Sequence, residues 1–267
     1  MLWTASRIKG YAIAASDGHI GTVSDLLFDD PSWQIRWLVV DTGHWLTGRK
    51  VLLPTSTLGH ANAGRREFSA LLTKQQVKDS PDIDTEQPVS RQMETDVYGY
   101  YGWSPYWGSG FYTGAYGYGS MMSSPFLGAG LGARRPESQA AETQRNRLDP
   151  HLRSVAAVGG FHIHATDGEI GHVEDMLVEE ADWSIHFLLV GTRDWWPGQK
   201  VLIAPRSVRR VSWHERAVDL NVDRAAVRSS PAYDASTTVD RDFEKLFSSY
   251  YGGLETTVPA GHPSRIA

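Results

Sequence analysis

Four histidines have types and spacing that suggest chemistry. His162 and His164 form an H-x-H pair, and residues two apart on a strand share one face. Together with His172 and His186 they could offer neutral imidazole nitrogens to a metal ion. The plainer reading is a row of solvated histidines on a strand face. A second stretch of the chain, 150 residues earlier, supports that reading: it has Ala12, Ala14, Thr22 and Arg36 at the matching places. No metal and no cofactor is therefore expected.

Asp25 and Asp175 are the next candidates. Each sits among apolar residues, where a carboxylate either has a shifted pKa put to use or is held by partners. The structural reading is favoured, with backbone N–H groups or Lys50 and Lys200 as partners. The acidic pairs Asp29-Asp30 and Glu179-Glu180 flank turns and read as solvated turn charge. Trp45, Trp195 and Trp196 lie in loops, either as anchors for a partner or as packing between two domains. The sequence has no G-x-S-x-G, no P-loop, no H-E-x-x-H and no G-x-G-x-x-G after a strand. No catalytic residues are assigned, and an enzyme is not expected.

The elements that must position these residues come in duplicate. Asp17–Leu27 (DGHIGTVSDLL) recurs as Asp167–Leu177 (DGEIGHVEDML). The same offset pairs Trp33, Ile35, Leu38 and Val40 with Trp183, Ile185, Leu188 and Val190, and Lys50, Val51 and Leu52 with Lys200, Val201 and Leu202. Roughly a third of the positions from Gly10 to Gly102 match their partners without a gap. Two similar domains follow, related by a pseudo-twofold axis.

Each copy reads as strands. Asp17-Gly18 and Asp167-Gly168 are tight-turn signals between apolar runs. Gly21 and Gly171 fall inside a strand pattern, which marks a bulge or a close backbone approach. Trp37–Val40 and Phe187–Val190 are continuous apolar runs, as in strands buried on both faces. Five or six short strands in about 80 residues favour a small closed barrel. Short helices follow at Thr73–Asp79 and Asp223–Ser229, with further helices near Val89–Tyr98 and Val239–Ser248. The expected division is 1–85 for the first barrel, 86–150 for a helix and linker, 151–235 for the second barrel and 236–267 for a short helix and disordered tail.

The DGxIGxVxDLL motif, the strand of Trp or Phe followed by Leu-Val-Val, and the Lys-Val-Leu strand closed by proline resemble the PRC-barrel family. That family includes the cytoplasmic barrel of the photosynthetic reaction-centre H subunit and the C-terminal domain of the ribosome maturation factor RimM. The resemblance covers both copies. It implies a mainly β fold of about six strands per barrel that binds other macromolecules, with no catalytic residues to carry over. Tandem bacterial proteins of this kind look like stand-alone members.

Composition bounds the remaining classes. The net charge of −5 argues against a nucleic-acid binder driven by phosphate contacts. The absence of cysteine excludes a disulfide framework and a thiolate metal site. With no secretory pattern at the start and no long apolar window, the expected location is the cytoplasm, with membrane contact at most peripheral. Tyr98–Gly132 is rich in Gly, Tyr and Ser and includes Trp103 and Trp107. It reads as a flexible contact segment or a tether. The expected function is a non-catalytic binding or scaffold protein with an unidentified protein partner. The alternatives are a membrane-peripheral regulator of electron transfer and, more weakly, small-molecule or metal binding between the barrels.

Overall fold

The computed structural model describes residues 2–46, 48–80, 152–192, 199–231, 233, 245–247 and 249–250. The first half contains β1 (Leu2–Thr4), α1 (Ala5–Ile8), β2 (Ala12–Ala15), β3 (Gly18–Asp29), β4 (Gln34–Asp41), β5 (Lys50–Pro54), β6 (Leu58–Asn62), β7 (Glu67–Ala70) and α2 (Lys74–Lys78). The second half repeats the order: β8 (Leu152–Ser154), α3 (Val155–Val158), β9 (His162–Ala165), β10 (Gly168–Glu179), β11 (Ile185–Gly191), β12 (Lys200–Ile203), β13 (Val208–Ser212), β14 (Ala217–Leu220) and α4 (Arg224–Ser229).

Each half builds a sheet of the same order, β5-β4-β3-β2-β7-β6 and β12-β11-β10-β9-β14-β13. The β2–β7 and β9–β14 pairs are parallel and the others antiparallel. Ile13, Leu26, Leu38, Leu53 and Phe68, from five strands of the first sheet, are buried in one cluster with their second-half counterparts. The expected hydrogen-bonded closure is not present. Among the described residues the ladder stops at β5 and β6, which are joined only through the 3-10 turn Thr55–Thr57. Pro54 has no N–H to give at that end, and Pro205 stands just beyond β12 in the second half.

The glycine-bearing hairpin explains the broken alternation in β3. Ala15 faces Gly18 and Ala14 faces His19, but Ile13 faces Gly21, so Ile20 is an extra residue. The bulge turns Ile20 into the core, where it is fully buried. Ile170 does the same in β10. The tight turn lies one residue earlier than expected. Its two central residues are Ser16 and Asp17, and Gly18 (φ +133°) opens the strand. A Cβ on Gly21 would lie 2.1 Å from the Asp41 carbonyl oxygen, and one on Gly171 would lie 1.9 Å from that of Gly191. Both glycines therefore sit at a bulge and at a close backbone approach.

The helix expected near Val239–Ser248 lies partly among the described residues, where 245–247 and 249–250 are helical. Phe247 is buried 5.6 Å from the Phe187 ring, and the Tyr250 hydroxyl donates to the Ala226 carbonyl at 2.6 Å. Burial pushes the Tyr250 phenol above its ordinary range, with Asp223 adding to the shift and Ser229 opposing it. The helix near Val89–Tyr98 lies outside the described residues.

Candidate functional site

The site the structure assembles is the junction between the halves. Leu2, Trp3 and Thr4 of β1 pair antiparallel with Glu179, Val178 and Leu177 of β10. Leu152, Arg153 and Ser154 of β8 pair in the same register with Asp29, Phe28 and Leu27 of β3. Each half thus lends its first strand to the other half's longest strand.

The lent segments are short, and side chains fix them. Asp25 accepts the Ser154 hydroxyl at 2.5 Å and the Ala156 N–H at 3.2 Å, so a first-half carboxylate covers the start of α3. Asp175 accepts the Ser6 hydroxyl and the Ser6 N–H, the latter at 3.2 Å, and covers the start of α1. A carboxylate at a helix N-terminus satisfies otherwise orphaned donors. Lys9 stands 3.4 Å from Asp25, whereas Lys200 pairs with Glu174 at 2.5 Å. Asp17 and Asp167, from the same motif, work within their own halves. They accept the N–H of Lys74 at 2.7 Å and of Arg224 at 2.9 Å, at the starts of α2 and α4.

Near the pseudo-twofold axis Trp33 and Trp183 adopt left-handed backbone (φ +55° and +59°), uncommon for a large side chain. Each carbonyl faces the other half. Trp33 O accepts from Ile185 N and Trp183 O from Ile35 N, both at 2.8 Å. Trp183 also packs 5.5 Å from Phe68 of the first half.

The acidic turns are not simply solvated. Asp30 accepts the Arg153 Nε–H and the Trp213 Nε1–H, each at 3.2 Å, and its side chain is 14% exposed. Glu180 accepts the Trp3 Nε1–H at 3.3 Å and the Ala61 N–H at 2.8 Å. Both turns therefore bind the opposite half. Asp182 sits beside them. Burial pushes its carboxyl up, but hydrogen bonds from Ser184 and the nearby His186 outweigh that and hold it below the ordinary carboxylate range.

Trp45 stays within its own half. Its indole N–H donates to the Ile20 carbonyl, and Lys74 lies 4.6 Å from its ring centroid. Trp103, Trp107, Trp195 and Trp196 lie outside the described residues. His162 and His164 are on the outer face, each aimed at a carboxylate: Glu169 at 2.6 Å and Asp219 at 3.5 Å. His172 lies across the ladder from His162, and His186 contacts Ser184 at 2.8 Å. Among the described residues no three histidine or carboxylate side chains come together as a metal site.

Residues 4–74 match the family model described as the PRC-barrel domain. An uncharacterised protein of Deinococcus radiodurans is 35% identical over 86 residues, which is 32% of this chain and 31% of that protein. The chain thus spans about a third of the length of the curated relative it matches. The likeness of the second half to the first rests on the 150-residue repeat and the shared strand order.

Proposed function

We propose, from the premise that residues 4–74 are a PRC-barrel domain, that the chain is a non-catalytic binding and scaffold protein. Its outer strand surfaces, with the aromatic stretch between the halves, hold a protein partner. One observation carries this reading. The carboxylates of the repeated DGxIGxVxD motif, Asp17, Asp25, Asp167 and Asp175, all accept backbone N–H groups at helix starts. The shared motif therefore serves architecture, and recognition falls to the outer faces.

Those faces differ between the copies. The second half carries His162, His164, Arg209 and Arg210 where the first half carries Ala12, Ala14, Gly59 and His60. Interiors of the same apolar character with different exteriors suit a scaffold that offers two unlike surfaces.

The test is affinity purification of the tagged full chain from its native cells, beside a variant lacking residues 98–132 and one with Arg209 and Arg210 changed to alanine. A stoichiometric partner that weakens at least tenfold with either variant is expected. Recovery unchanged by both variants would count against these surfaces. Turnover of a substrate by the purified chain would overturn the non-catalytic reading.

A further inference from the structure

The geometry points to a selective interlock: a first half is built to take a second half rather than another first half, and Asp30 tells them apart. This goes beyond the scaffold reading, because it concerns how the halves choose each other.

The backbone of the junction does not choose. β1 and β8 are lent in the same register, and the Trp33–Ile185 bond mirrors Trp183–Ile35. By backbone alone, first–first and second–second pairs would form as well as the mixed pair.

The side chains at the two ends do choose. At one end Asp30 meets Arg153 and Trp213, and the Arg153 guanidinium lies 4.4 Å from the centroid of the Trp213 ring. At the other end Glu180 meets Trp3 and the Ala61 N–H. The 150-residue offset puts Trp3 where Arg153 stands and Ala63 where Trp213 stands. In a first–first pair Asp30 would exchange the Arg153 guanidinium and the Trp213 indole N–H for the groups that meet Glu180 in the mixed pair, the Trp3 indole N–H, the Ala61 N–H and the exposed His60 ring, and so lose the permanent charge of Arg153. Removing the cation from a largely buried carboxylate is unfavourable. A second–second pair would keep Arg153 and Trp213 opposite Glu180, so its charges still balance. Each such pair nevertheless leaves two first halves with only each other. Mass balance then favours the mixed pair, which is specificity by penalising one alternative. The partner that fits the first half is the second half of the same chain or of a second copy. In intact protein this permits the self-closed monomer, and a reciprocal dimer as the smallest larger assembly.

The test uses the full chain with a protease site placed between residues 81 and 151. The folded protein is cut, unfolded in urea, refolded, and its pairs are counted by native mass spectrometry. Mixed pairs are expected to exceed the sum of like pairs at least tenfold. The double substitution Arg153→Trp and Trp213→Ala gives the second half the first half's end. It is expected to bring the mixture to about one first–first, two mixed and one second–second pair. Asp30→Asn, which keeps the fold's contacts but lifts the charge penalty, is expected to raise first–first pairs at least threefold. A near-statistical mixture from the unsubstituted protein, halves that separate on cutting, or populations unmoved by both variants would overturn the inference.

Discussion

The Trp33 carbonyl accepts the Ile185 N–H at 2.8 Å across the junction of the halves, from a residue held at φ +55°. The bond returns from Ile35 to Trp183, whose ring packs on Phe68. Glycine at 183 would relieve the backbone but remove a ring that is only 8% exposed. We expect Trp183→Gly to lose about 2–4 kcal/mol, because the lost burial outweighs roughly 1 kcal/mol of backbone relief. Trp183→Phe should lose less. Urea midpoints decide it: a midpoint that rises for the glycine variant would mean strain dominates.

Asp25→Ala removes an acceptor from Ser154 and Ala156 of the opposite half. The expected loss is about 1–2 kcal/mol, as for other helix caps. Asp25→Asn keeps an acceptor and should cost less. Asp175→Ala should behave alike, and near-additivity of the pair in chemical denaturation would show that the two caps act independently.

Glycines in close quarters should separate by what their neighbours can do. Gly21→Ala drives a methyl against the Asp41 carbonyl, which is backbone and cannot rotate away. Gly59→Ala meets the Ser69 hydroxyl, which can. We expect more than about 2 kcal/mol for the first and under about 1 kcal/mol for the second. Equal thermal shifts for the two would contradict this account.

Trp3→Ala tests the lending of β1. Trp3 is buried, donates to Glu180 and packs 5.7 Å from Tyr11. A cost of about 3–5 kcal/mol is expected. The location of the damage is more telling than its size. Hydrogen exchange should speed up at Val178 of β10, which lies opposite Trp3 in the strand that β1 pairs with, although it is far away in sequence. Faster exchange confined to residues 2–30 would refute the pairing.

Asp182 has a pKa held below its ordinary value, so its contribution is present above the unfolded carboxylate pKa and fades as pH falls through the folded one. The stability gap between the unsubstituted chain and Asp182→Asn should therefore be open at pH 6 and narrow below about pH 4. The group is largely solvent-accessible, so the gap will be small. Urea midpoints at several pH values check the sign, and a gap that widens in acid would reverse it.

The interior of each half was legible in the sequence, and the lent strands were not. Apolar runs such as Leu38–Val40, with the 150-residue repeat, identify the central strands because burial on both faces demands them. β1 and β8 are three residues long, too short to show a period. Leu2 matches Leu152 and Thr4 resembles Ser154, but Trp3 aligns with Arg153, so the likeness is too short and too broken for an identity count to register. Nothing local reveals a strand whose ladder partner is some 175 residues away. The left-handed turns were hidden because tryptophan, not glycine, occupies them. Asp30 and Glu180 read as solvated turn charge for a related reason: their donors, Arg153, Trp213 and Trp3, come from the other half. Trp45 shows the reverse case, since a carbonyl of its own hairpin satisfies its indole.

The pairing of β3 with β8 also bears on how the chain is made. A ribosome releases β3 more than a hundred residues before the strand that completes it. Until Ser154 emerges, the nascent first half carries an unpaired edge along Leu27–Asp29, and contacts so distant in sequence form slowly. An exposed edge of this kind invites other chains. The acidic Asp29 and Asp30 at its end place two negative charges on the edge during that wait.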